Sequence, residues 1–158
     1  MLPYFGSLRV RRMSGTANVN AKMIRILLVE DSKFLRLATE RALTRAGYQT
    51  SSAADGAEAL RLAHANLPDL ILLDMLLPKM SGPDVLKALK LDPATKSIPV
   101  VVMTGLSEKN AARLREDGAI AFLEKSALEL DKGSAKLLTA LEEILQKLPT
   151  IQARTTTA

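Results

Sequence analysis

The 158-residue chain has no cysteine and no tryptophan, and aromatic residues make up only 3% of it. Without thiols there can be no disulfide, thiolate zinc site or thiol catalysis, and the absence fits a reducing cytosol. With so few rings the core must be aliphatic, and a 47% hydrophobic content supplies it. No apolar run approaches the roughly 18–20 residues of a membrane span. No glycine-rich nucleotide loop of the Walker type occurs. The single histidine, His64, sits in a helical pattern with no evident partner and is expected at the surface.

Acidic residues are missing from both ends, and this decides how the net charge of +5 is read. Residues 1–22 hold Arg9, Arg11, Arg12 and Lys22, and residues 149–158 hold Arg154. The span 23–148 is therefore formally neutral, with 17 basic and 17 acidic residues. Nucleic-acid binding is not expected of the folded part. Residues 1–22 have no periodicity and no apolar core of a secretory signal, and read as a disordered basic extension. Residues 149–158 read as a flexible tail. A cytoplasmic location without membrane contact is expected.

Between these ends, short apolar runs alternate with helical patterns. IRILLV (24–29), YQTSSA (48–53), LILL (70–73), PVVVM (99–103) and IAFLE (120–124) read as strands. The continuously apolar runs suit parallel strands covered on both faces. Helical patterns fill 32–46, with Phe34, Leu37, Ala38, Ala42 and Leu43 inward, and 56–67, with Ala57, Leu60, Ala63 and Leu67 inward. Val85, Leu86 and Leu89 mark a third helix over 83–91, and 107–117 a weaker fourth. Ser134 is expected to cap a fifth that buries Leu137, Leu138, Leu141, Ile144, Leu145 and Leu148. Five strands alternating with five helices predict one α/β domain, a doubly wound five-stranded parallel sheet.

In such sheets the working site lies beyond the carboxyl ends of the strands. Glu30 and Asp31 follow the first strand, Asp74 ends the third, Thr104 ends the fourth, and Lys125 follows the fifth. All five fall on one rim. Three carboxylates there repel one another unless a cation is shared, and hard oxygen ligands without histidine or cysteine suit Mg²⁺. Such a metal leaves room for phosphate, which Lys125 and the Thr104 hydroxyl can also hold. An aspartate is a competent phosphoryl acceptor. Asp74, placed where burial makes a charge costly, is thus read as the nucleophile.

The motifs VEDS (29–32), LLDMLLPKMSG (72–82), MTG (103–105) and FLEKS (122–126) together resemble the receiver domain of two-component response regulators, of the CheY-like kind, over 23–148. The resemblance implies a flavodoxin-like sheet in the order 2-1-3-4-5. It implies Asp74 as the phosphorylated residue, with Mg²⁺ held by Asp31, Asp74, the backbone carbonyl of Leu76 and, mostly through water, Glu30. Thr104 and Lys125 would contact the phosphoryl group, and Gly105 would leave its approach open. Phe122 takes the aromatic switch position, moving with Thr104 to change the face made by the fourth helix, fifth strand and fifth helix. The implied phosphodonor is a histidine kinase or histidine phosphotransfer protein. The implied readout is a downstream protein target, since no output domain is expected after residue 148. The implied protein is a switch with self-catalysed phosphotransfer, not a turnover enzyme.

Several positions depart from the family. Ser126 stands where proline usually follows the lysine in a cis peptide, a geometry costing roughly 2.5–4 kcal/mol without proline. ALELDKGS (127–134) is longer than the usual entry to the last helix. Leu76 and Leu106 occupy positions that tune dephosphorylation, and neither can orient water, so slow phosphoryl loss is expected. Among competing readings, a haloacid-dehalogenase-like phosphatase would want an acid at Leu76. The acidic EDS would repel a flavodoxin's flavin phosphate. The remaining alternative is a receiver-like adaptor whose state is set by protein binding.

Overall fold

The structure, a computed structural model, describes residues 24–105, 111–125, 134–149 and 151. The basic extension, Leu106, Ser126, the 127–133 segment and the tail beyond Ile151 lie outside the described residues. Among the described residues, five strands alternate with five helices. They are β1 (Arg25–Val29), α1 (Lys33–Arg45), β2 (Gln49–Ala53), α2 (Gly56–Asn66) and β3 (Leu70–Asp74), then α3 (Gly82–Leu91), β4 (Val100–Thr104), α4 (Ala111–Glu116), β5 (Ala121–Glu124) and α5 (Ala135–Gln146). Every strand pairing is parallel, as the sequence pattern predicted, and the sheet order is β2-β1-β3-β4-β5, as the family resemblance implied.

The pleat sends alternate residues to opposite sides, which explains the unbroken apolar runs. Leu27, Val29, Ile71, Leu73, Val100 and Val102 face Ala59, Ala63, Val85, Leu86, Leu89 and Leu114 of α2, α3 and α4. Ile26, Leu28, Leu70, Leu72, Val101 and Met103 face Leu43 of α1 and Leu141 and Leu145 of α5. Packing on the second side continues to Ile151, which is buried and donates its N–H to the Leu148 carbonyl.

The helix starts carry the caps that local chemistry requires. Ser32 Oγ accepts from Leu35 N–H, and Ser81 Oγ from Asp84 N–H with Pro83 in the first turn. At α2 the arrangement is reciprocal. Asp55 accepts from Glu58 N–H, while the Glu58 carboxylate accepts from Ala54 N–H.

Two helices depart in part from the phase that the sequence suggested, although Leu43 and Ala63 are buried and Leu60 packs on the core as expected. In α1, Phe34 and Leu37 are 77% and 40% exposed, and the buried positions are Thr39 and Leu43. Phe34 instead borders a groove of about 480 Å³ with Ala38, Arg41, Arg45 and Leu138. In α2, Ala57 and Leu67 are exposed, whereas Gly56, Ala59 and Ala63 are buried. Small residues bring α2 close to the sheet, and they outweigh the larger apolar side chains in setting its phase. The Ser134 hydroxyl makes no cap bond, because the residue is left-handed at φ 58°. His64 is exposed as expected but does have a partner: its Nδ1 lies 3.0 Å from Asp92 Oδ2, joining α2 to the end of α3.

Candidate functional site

Each acid is placed by the element that ends beside it. Glu30 prolongs β1, its N–H bonding the Ala53 carbonyl at 3.0 Å, and it is 3% exposed. Asp31 follows immediately and is exposed, just before the Ser32 cap turns the chain into α1. Asp74 is the last residue of β3 and is 1% exposed. Carboxylate oxygens of these three residues lie within 4.8 Å of one another.

The turn after Asp74 is built around its own carboxylate, with Leu76 N–H donating to Oδ1 at 3.0 Å. Chain entry into α3 then passes against the same backbone. A Cβ added to Gly82 would lie 2.5 Å from Met75 Cα and 2.6 Å from the Asp74 carbonyl oxygen. Glycine is therefore required here by close approach.

Lys125, directly after β5, is the cation facing these acids. Its Nζ donates to Asp74 Oδ2 at 2.7 Å and to Glu30 Oε1 at 2.9 Å. Burial pulls its ammonium pKa down, but the bonds to Asp74 and Glu30 more than offset this, and the net direction is upward. Burial, with the Asp74 carboxylate beside it, pushes Glu30 up to about 7, while Lys125 pulls it the other way.

The arrangement fits a divalent cation on its own evidence. Among the described residues, Glu30 Oε2 is buried without a hydrogen-bond partner. Such an atom in a native core calls for an ion or water. The donors are all hard oxygens, and Asp31 keeps one side open to solvent.

Thr104 ends β4, is 4% exposed, and is the register neighbour of Glu124. Beyond it, a Cβ at Gly105 would meet no atom of the described residues within 4 Å. Phe122 lies further back on β5, opposite Val102, and packs half-buried against the α2–α3–α4 side. Leu76 is 65% exposed at the rim. Met75 and Met103 are buried core residues.

One contributor escaped the sequence reading. Arg36, one turn into α1, donates to the carbonyls of Glu30 at 2.9 Å and Asp31 at 3.3 Å. It pins the acidic loop from behind. Its only sequence signal is an arginine five residues after Asp31, which by itself resembles any helix-surface charge.

The response regulator receiver domain family matches residues 26–146. The chain is 43% identical over 102 residues to the response regulator PleD of Caulobacter vibrioides, covering 64% of this chain and 22% of PleD. It is 37% identical over 101 residues to the polar-differentiation response regulator DivK of Brucella anthropi, covering 63% of this chain and 82% of DivK. Among solved structures, it resembles the receiver domain of a Pseudomonas aeruginosa sensor histidine kinase that has a magnesium ion coordinated in its active site cleft. That match has a TM-score of 0.65 at 26% identity and covers 78% of this chain and 95% of the other. The rim of acids, hydroxyl and lysine thus stands on the fold that this family uses, and the chain belongs to the receiver domains of two-component response regulators.

Proposed function

We propose that this chain accepts a phosphoryl group on Asp74 from a histidine kinase or histidine phosphotransfer protein, in a Mg²⁺-dependent reaction. The observation that carries the reading is the single ammonium of Lys125 bonded to both Asp74 and Glu30 beside a third carboxylate. A cation would be held by Glu30, Asp31, Asp74 and the Leu76 carbonyl, and it would neutralise oxygens of the incoming phosphoryl group. An Asp74 oxygen attacks phosphorus, an O–P bond forms, and the N–P bond to the donor imidazole breaks with its electron pair going to nitrogen. Lys125 then exchanges a carboxylate oxygen for a phosphoryl oxygen, and the Thr104 hydroxyl takes another. The product is an acyl phosphate.

The new contacts at Thr104 and Lys125 shift the balance between two packings of the α4–β5–α5 face, with Phe122 following Thr104. A downstream protein reads that face. The chain is a switch whose own residues catalyse transfer and slow hydrolysis, not a turnover enzyme. Among the described residues no helix is long and apolar enough to cross a membrane.

Incubation with Mg²⁺ and acetyl phosphate or phosphoramidate tests the reading. The expected result is a mass gain of one phosphate that is absent in Asp74→Asn and abolished by chelator. No gain in the wild-type protein would favour an adaptor whose state is set by partner binding.

A further inference from the structure

We propose that Arg115 is a positioning residue that holds the Phe122 ring in its half-buried place and thereby restrains phosphorylation of the rim. The guanidinium carbon of Arg115 lies 5.2 Å from the centre of the Phe122 ring. The backbone that carries Arg115 is anchored beside that ring. The next-door Leu114 is buried in the core, and the helix end is closed by Gly118 N–H to the Arg115 carbonyl and Ala119 N–H to the Leu114 carbonyl. Two residues later the chain enters β5, so the cation and the ring are fixed to adjoining elements.

Among the described residues β5 is an edge strand, with no strand of the sheet beyond it to shelter the ring. Phe122 therefore has the α2–α3–α4 core on one side and the guanidinium over its face. Thr104, in step with Val100 and Val102, leaves β4 on that same side of the sheet, and Val102 is the register partner of Phe122. Resting on the proposed function, any draw of Thr104 toward a phosphoryl group frees space on the inner side of the ring. Arg115 opposes the ring's entry, because the ring must leave the cation to fill that space. A cation–π contact at an exposed site biases such an equilibrium by about two- to fivefold. The role is a brake: the same contact that orders the resting ring makes the phosphorylated packing less accessible.

A double-mutant cycle over Arg115→Met and Phe122→Leu tests this, read by two measurements on the full chain. Methionine keeps an unbranched stem and removes the charge. The unfolding constant, from urea titration, should show a coupling of about two- to fivefold between the two positions. The rate of mass gain with acetyl phosphate and Mg²⁺ should rise about two- to fivefold in Arg115→Met and be unaffected by that change once Phe122 is leucine. An absent coupling in unfolding overturns the contact. Coupling in unfolding with an unchanged phosphorylation rate overturns the brake and leaves only a structural contact. An equal rate change with leucine present overturns it too, since the arginine would then act without the ring. Failure of the wild-type protein to take up phosphate would refute the proposed function and, with it, the brake, while the unfolding cycle would still decide the contact.

Discussion

Lys125 Nζ lies 2.7 Å from Asp74 Oδ2 although 51 residues separate them in the chain. The same ammonium meets Glu30 Oε1 at 2.9 Å, so one cation holds together two buried carboxylates drawn from different strands. The site is electrostatically incomplete with Lys125 alone, because three carboxylates converge on it. That imbalance drives the following expectations.

Replacing Lys125 with methionine removes the cation and leaves Glu30 and Asp74 buried together. Breaking a buried pair in this way costs about 3 kcal/mol. Urea unfolding of the Lys125→Met protein should show that loss at pH 8, and a smaller one at pH 5, where Glu30 takes up a proton. Saturating Mg²⁺ should restore part of the lost stability.

Glu30 governs how the metal-free protein responds to pH. Its folded pKa of about 7 is above its ordinary value of 4.5, so the folded state binds the proton more tightly than the unfolded chain does. The stability it contributes is complete below pH 4.5 and is lost as pH rises through about 7. The expected loss is on the order of 3 kcal/mol. Unfolding midpoints measured in chelator between pH 4.5 and 8 should fall, and Glu30→Gln should flatten the decline. Mg²⁺ affinity should weaken as pH drops below about 7, with a proton released on binding.

Gly82→Ala would drive a Cβ into the backbone of Asp74 and Met75. Backbone cannot yield as a flexible side-chain end does, so overpacking should cost about 1–3 kcal/mol. The displacement should also reach the nucleophile. A lowered rate of mass gain with acetyl phosphate should accompany the lowered melting temperature.

Arg36→Met would remove both bonds to the carbonyls of Glu30 and Asp31. Charge-assisted bonds of this kind are worth about 1.5–3 kcal/mol when lost from a protected site, and the partial exposure here places the stability cost near the lower end. Calorimetric titration should show weaker Mg²⁺ binding than in the wild-type protein. An unchanged affinity would mean that Ser32 and β1 alone hold the loop.

Leu76 stands exposed at the rim, two residues beyond Asp74, and its side chain cannot orient an attacking water. Phosphoryl loss from the purified protein should accordingly be slow. Leu76→Asn should accelerate it about tenfold, well short of the ~10²–10⁴ supplied by a positioned general base. Decay of the phosphorylated mass over time measures both rates, and a wild-type lifetime of only seconds would contradict the expectation.

Much of this site is legible in the order of residues along the chain. Strands covered on both faces must be apolar throughout, and right-handed crossovers make all of them point the same way. Glu30, Asp74, Thr104 and Lys125 each end or follow such a run, so their meeting on one rim follows from sequence. Helix phase is less legible. Phe34 and Leu37 look like core residues but stay exposed, while α1 buries the expected Leu43 and the unexpected Thr39, because a helix settles where its whole face fits the sheet.

The sequence by itself determined the alternation of elements, the strand direction and the end of the sheet where chemistry gathers, since these depend on periodicity and chain handedness. Tertiary structure alone decided that Lys125 bridges two acids, that Arg36 braces the acidic loop, that Gly82 admits no side chain and that Arg115 covers Phe122. Each of those depends on how closely neighbouring elements pack, and that distance is set by the fit of many side chains at once.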